Sequence, residues 1–504
     1  MARIHPSDRL TSEDAAFLYL ETQTMPLHIG SVSTLDGEIP FEEWVNFIER
    51  KLALIPRYRQ RLLVPPLHVG HPTWEADPNF DIGNHVHSIT LKRGDEAELQ
   101  KVASGIFSEI MDRNKPLWDV HIVYGLKNGR SGLITRVHHC MVDGVAGVGL
   151  LNILLDVTPQ ASPLPKRQAY HAPPLPSPER SLADALLSAY SEGLTRMFSA
   201  QSAALNIAEA LAGDQAIRGW DRLSRMIPEL LSPVERLPFN SQCAGPRRLV
   251  WTEFAIPQIR AIREKCGGTL NDVALTMVTS ATRRYSELHG TTVKNRLLRF
   301  MVPVNIRKQD EHGLGNRVSL LPVNVPLDIR DPVQLLNAVR ERTEALKSAH
   351  VADFISLVAT WIGTTPAPLQ AMIGRWLASI LPVPSFNLVC TNVPGPQFPI
   401  YALGHEMLTY YPYLPISNEM GLGVAIQGYN GKIYVGITGD IQAMPDVARF
   451  KRMLDQAFGE LFRRAVGQSG RRTSPLPKPV SHSRRRTVRR PKQARYASLA
   501  SAAD

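Results

Sequence analysis

Two adjacent histidines, His138 and His139, are the residues of this 504-residue chain best suited to chemistry. They end the run Leu133-Ile134-Thr135-Arg136-Val137, which alternates as a strand does, and Cys140, Met141, Val142 and the turn pair Asp143-Gly144 follow. A neutral imidazole, with an ordinary pKa near 6.5, can take a proton from a hydroxyl at neutral pH. Successive strand side chains point to opposite faces, so one of the two can project into a given channel and the other must be structural. Asp143 is placed to pair with an arginine or to cap local amides, and Gly144 leaves room for close backbone approach at the turn. The same residues also fit a buried core histidine beside an exposed one. They offer metal-ligand types too, although adjacent histidines diverge and no carboxylate cluster completes a coordination sphere. Cys140 carries a thiol, but no base is oriented toward it.

Other enzyme classes lose weight because their motifs are absent. There is no G-x-S-x-G elbow, no G-x-x-x-x-G-K-[ST] loop, no H-E-x-x-H and no G-x-G-x-x-G after a strand. The four cysteines, Cys140, Cys243, Cys266 and Cys390, include no C-x-x-C pair, which excludes the usual zinc and dithiol signatures and suits a reducing, cytoplasmic compartment. The net charge of +11 suggests a nucleic-acid partner until it is located. Residues Gln468–Asp504 hold ten basic side chains against Asp504 alone, so this tail carries +9 and the rest of the chain only +2. No basic groove for a specific nucleic acid is implied, and the tail reads as a disordered basic arm.

The elements that must position the histidines divide in two. Seven prolines between Thr158 and Arg180 break regular structure and mark a boundary. Helical patterns follow over Leu182–Leu211 and Ala216–Leu231. From Leu249 strand-like runs (Leu249–Ile256, Leu297–Ile306, Ser319–Ile329, Ser385–Thr391) alternate with helix-like ones (Pro257–Cys266, Val273–His289, Pro332–His350), which predicts α/β layering in both halves. Asn430-Gly431 between two apolar runs predicts a hairpin. The expected units are 1–157, a proline-rich linker with connecting helices over 158–245, a second α/β domain over 246–466, and the tail from 467. Met1–Leu10 shows no secretory h-region. Phe354–Gly374 is uncharged but carries Pro366, Pro368 and three threonines, a poor spanning helix. With Trp361, Trp376 and Leu377 it packs in the core or lies in a membrane interface.

At His138-His139-x-x-x-Asp143-Gly144 the chain resembles the acyltransferase superfamily of chloramphenicol acetyltransferase, carnitine acyltransferases and peptide-synthetase condensation domains. Further segments are similar to its bacterial wax ester synthase/diacylglycerol acyltransferase branch. They are Asp14-Ala15-Ala16-Phe17, Pro26-Leu27-His28-Ile29-Gly30, Pro56-Arg57-Tyr58-Arg59-Gln60-Arg61-Leu62 and Pro116-Leu117-Trp118 in the first half. In the second half they are Asn271-Asp272, Pro303-Val304-Asn305-Ile306-Arg307 with Gly315-Asn316-Arg317, and Thr391-Asn392-Val393-Pro394-Gly395-Pro396. The resemblance spans roughly residues 5 to 465.

It implies two chloramphenicol-acetyltransferase-like α/β domains forming a V around a central channel. It also implies an O-acyltransferase that moves a long-chain acyl group from acyl-CoA to diacylglycerol or to a fatty alcohol, with no cofactor beyond acyl-CoA as co-substrate and no metal. The second histidine, His139, becomes the general base, His138 a supporting residue, and Asp143 an organiser paired with Arg307. Pro116, Leu117 and Trp118 read as core and channel wall. Asn271 and Asp272 shape the channel in this reading, while Thr269-Leu270-Asn271-Asp272 before an apolar helix is equally an N-cap signature. A water-insoluble acceptor places the protein peripherally on the inner membrane face or on lipid bodies. The alternatives are the same chemistry with a polyketide, peptide or sterol-like alcohol, and an inactive lipid-binding member.

Overall fold

The alternating apolar runs form two six-stranded sheets in an α/β architecture. The computed structural model describes residues 9–141, 155–161, 163–166, 170–188, 229, 232–305, 318–348, 386–417 and 419–467. The first half contributes α1 (Ser12–Leu20), β1 (His28–Asp36), α2 (Phe41–Lys51), β2 (Gln60–Leu63), β3 (Thr73–Ala76), β4 (Val86–Thr90), α3 (Glu96–Ile106), β5 (Trp118–Leu126) and β6 (Arg130–His138). The second contributes β7 (Arg247–Ala255), α4 (Ile256–Cys266), α5 (Leu270–Leu288), β8 (Leu297–Asn305), β9 (Val318–Pro326) and α6 (Pro332–Ser348). After these come β10 (Leu388–Val393), β11 (Tyr401–Ala402), β12 (His405–Tyr413), β13 (Leu422–Tyr429), β14 (Lys432–Asp440) and α7 (Val447–Val466). One sheet has the order β11-β12-β1-β6-β5-β4, the other β7-β14-β13-β10-β8-β9.

The β13–β14 hairpin forms at the Asn-Gly pair as its turn chemistry requires, with φ of +43° at Asn430 and +76° at Gly431. Both strands are buried on both faces. Val435 and Ile437 join the helix-backed core of the second half, while Tyr434 packs among first-half residues such as Trp44 and Trp118. Between them Gly436 lets the backbone of β12 approach: a Cβ there would lie 1.7 Å from the Pro412 carbonyl oxygen.

The sequence reading placed everything from 246 to 466 in the second domain, and the structure differs. Strands β11 and β12 leave that half and extend the first sheet, β12 pairing antiparallel with β1 from Gly30↔Tyr413 to Leu35↔Met407. The hydroxyls of Thr34 and Thr409 meet at 2.8 Å across this ladder. A second tie is the buried Arg247, whose Nη1 donates to Asp440 Oδ2 (2.6 Å) and whose Nη2 donates to the Thr24 carbonyl (2.6 Å). The proline-rich segment lies on the first half, Arg50 donating to the carbonyls of Leu164 and Pro165. Residues 178–188 are helical; the rest of the two connecting helices, the Phe354–Leu381 region and the basic tail lie outside the described residues. Among the described residues no helix is long and apolar enough to cross a membrane.

Candidate active site

Strand β6 delivers the two histidines, and two loops take up their backbone amides. The His138 N–H donates to the Leu117 carbonyl (2.9 Å) and the His139 N–H to the Leu27 carbonyl (3.0 Å). The Pro116-Leu117-Trp118 and Pro26-Leu27-His28 segments thus hold the pair from its two neighbouring strands, β5 and β1. Leu117 is fully buried, and the Trp118 indole N–H donates to the Tyr58 carbonyl at 2.8 Å. His28, opposite His138 in register, donates from Nε2 to the Phe107 carbonyl (3.1 Å). Burial, with the nearby positive Arg136, lowers its pKa to about 3 and keeps it neutral.

The side chains part as strand geometry requires. His138 is fully buried and accepts from the Cys140 N–H at Nδ1 (3.2 Å), so its proton sits on Nε2. That N–H faces Oε1 of Glu21 at 3.3 Å. Glu21 closes α1 and also accepts from the Leu27 N–H (3.0 Å) and from Arg113 (2.9 Å). Burial alone raises its pKa, but His138, the Leu27 amide and Arg113 together outweigh burial and hold it at about 2.

Because the folded-state pKa of Glu21 lies below its unfolded value, its stabilising effect is full above about pH 4.5 and fades as pH falls toward 2. Glu21→Gln is therefore expected to cost on the order of 3 kcal/mol at neutral pH. The difference from wild type should narrow in denaturant titrations carried from pH 6 down to pH 3. A difference independent of pH would contradict this role.

His139 turns the other way and lies flat on the Phe17 ring, with centroids 3.9 Å apart and planes 5° from parallel. Both rings border a cavity of about 700 Å³ between the two halves, a size that takes a small organic ligand. Helix α1 presents Glu13, Ala16, Phe17 and Leu20 to it at i, i+3, i+4 and i+7. Across the cavity the second sheet presents Met301, Val389, Thr391 and Ala425, while the alternate residues Phe300, Cys390 and Val424 enter the helix-backed core. The wall is mostly apolar. Its charged members are Glu13, Asp119 and Arg136, of which Arg136 grips Asp119 (2.5 to 3.1 Å) and donates to the carbonyls of Ile106 and Glu109. Asp119 is buried, which alone would raise its pKa; His121 and Arg136 outweigh burial and hold it at about 2.

The family model described as the wax ester synthase/diacylglycerol acyltransferase catalytic domain matches residues 10–274, and the C-terminal domain model of that family matches 314–462. The chain belongs to this family. It is an acyl-CoA-dependent O-acyltransferase of the diacylglycerol acyltransferase/wax ester synthase type. It is 28% identical over 474 residues, 90% of this chain and 96% of the relative, to tgs1 of Mycobacterium tuberculosis, named a probable diacylglycerol O-acyltransferase. Its fold matches the wax ester synthase/diacylglycerol acyltransferase of Marinobacter aquaeolei VT8 (TM-score 0.62, 24% identity, 91% and 99% of the two chains). The first condensation domain of the calcium-dependent antibiotic synthetase has the same fold (TM-score 0.56, 13% identity, 91% and 96%).

Within this family site the remaining residues fall into place unevenly. Trp118 borders the cavity; Pro116 and Leu117 do not. Asn271 and Asp272 do not border it either. Asp272 completes a capping box with Thr269 at the start of α5 and accepts from the Thr343 hydroxyl at 2.7 Å, the cap that Thr269-Leu270-Asn271-Asp272 predicts. Cys140 is buried, its thiol pushed well above its ordinary pKa by burial and by the charges of Asp14 and Glu21, which disqualifies it as a nucleophile. Asp143, Gly144 and Arg307, and with them the Asp143–Arg307 pairing, lie outside the described residues. Sequence reasoning missed Glu21 and the Asp119–Arg136 pair. Charged residues inside otherwise apolar strands were the available signal for the pair; Glu21 had none.

Proposed function

We propose that His139 is the general base of this acyltransferase, and that the acyl group is long-chain, moving from acyl-CoA to diacylglycerol to give triacylglycerol and to fatty alcohols to give wax esters. The observation that carries this reading is the imidazole of His139 bordering the apolar cavity between the halves. The neutral ring takes the proton of the acceptor hydroxyl as its oxygen attacks the thioester carbonyl carbon. The carbon–sulfur bond then breaks, and the imidazolium returns the proton to the departing CoA thiolate. No covalent acyl-enzyme is required, in keeping with the inert Cys140 thiol. The fixed Arg136–Asp119 pair brings no net charge to a cavity that must hold an alkyl chain. Purified protein given labelled palmitoyl-CoA should form triacylglycerol with diacylglycerol and a wax ester with hexadecanol, resolved by chromatography. Failure with both would shift the reading to a polyketide, peptide or sterol-like alcohol.

A water-insoluble acceptor has to be met at a surface, and the +9 charge of Gln468–Asp504 suits an anionic one on the cytoplasmic side. Deleting 468–504 is expected to weaken binding to phosphatidylglycerol liposomes roughly tenfold or more at low ionic strength, with the gap closing in high salt. Unchanged flotation of the truncated protein would remove the tail from this role.

A further inference from the structure

Phe17 neither gives nor takes a proton, yet its ring lies against the ring that does. We infer that Phe17 is a positioning residue for His139, its face fixing the plane of the imidazole for proton transfer; this rests on His139 being the base. The two rings are in face-to-face contact, centroids 3.9 Å apart and planes 5° from parallel, and their surroundings hold them so.

Those surroundings are on both sides of the pair. The backbone of His139 is pinned by its N–H to Leu27, and the Phe17 face constrains its side-chain torsions. Phe17 is carried on a helix whose Ala15 and Leu18 are buried in the first-half core. The start of that helix is capped by Thr11, and its end is held by Glu21 through the Leu27 amide and Arg113. Phe17 and Glu21 stand four residues apart, so one helical segment holds both histidines, His139 by a ring face and His138 by a carboxylate. Stacking engages only the face, and the lone pair and N–H of an imidazole both lie in its plane, where hydroxyl and thiolate must approach. An apolar partner also needs no hydration in a cavity built for hydrocarbon.

The test uses the full-length protein with palmitoyl-CoA and diacylglycerol. Phe17→Leu, which keeps an apolar side chain without the ring, should lower kcat by about 10- to 100-fold, because near-ångström misplacement of a catalytic group costs that much. The KM for palmitoyl-CoA should change little, and Phe17→Tyr, which keeps the ring, should retain most of kcat. Independently of activity, the His139 ring signal of histidine-labelled protein, identified by its loss in His139→Gln, should be shifted upfield by the Phe17 ring current. It should lose that shift in Phe17→Leu and keep it in Phe17→Tyr. An unshifted signal in the wild type, an unchanged kcat in Phe17→Leu, or a loss confined to KM overturns the proposal. Full activity in His139→Gln instead overturns the base assignment, while the ring signal still reports whether the stack exists.

Discussion

Replacing His139 with alanine is expected to lower kcat by about 10²–10⁴-fold, the usual worth of a positioned general base, with the unfolding midpoint close to that of the wild type. The side chain borders a cavity rather than filling a core, and the backbone bond from its N–H to Leu27 survives the change. His138→Ala should behave differently. It removes a fully buried ring that faces Glu21 and accepts from Cys140, so it should lower stability as well as activity. Steady-state kinetics beside denaturant unfolding separate the two. An inactive lipid-binding member would show no difference in turnover between wild type and His139→Ala.

The largest effect on stability is expected at Arg247. This side chain is 1% exposed and joins Asp440, itself fully buried, to the carbonyls of Thr24 and Gly245. Arg247→Met leaves the Asp440 carboxylate with only the amides of Gly245, Gln442 and Ala443. Stranding a buried charge in this way costs about 3–5 kcal/mol. The double change Arg247→Met with Asp440→Asn should recover part of the loss, since the stranded charge is then gone. Because Thr24 lies between Glu21 and Leu27, the same variant should also lower kcat. An unfolding free energy within 1 kcal/mol of wild type would show that the halves are held by other contacts.

Local features of this molecule were legible because local chemistry decides them. Asn430-Gly431 makes its turn whatever surrounds it, Thr269 with Asp272 caps whichever helix follows, and two residues at the end of a strand must diverge. The departure of β12 was not legible. Its partner β1 lies more than 370 residues away, as Thr34 and Thr409 illustrate, and no residue pattern names the sheet a strand will join. The histidine pair stands out by residue type and position, whereas the residues around it do not. Glu21 is one acid among 46 acidic residues until the fold brings it to His138, and Phe17 is an ordinary apolar position on a helix until His139 lies on it. The motif segments Pro26-Leu27-His28 and Pro116-Leu117-Trp118 act partly through main-chain carbonyls, which any residue possesses. Their side chains therefore gave no hint of that contribution.

The central claim is direct transfer from thioester to hydroxyl with His139 as base, and time-resolved thiol release from palmitoyl-CoA tests it most directly. The account predicts release only when diacylglycerol or a fatty alcohol is present, one thiol for each ester formed, and no early burst. A stoichiometric burst of CoA without acceptor would contradict it, because that burst requires an acyl group held covalently by the protein.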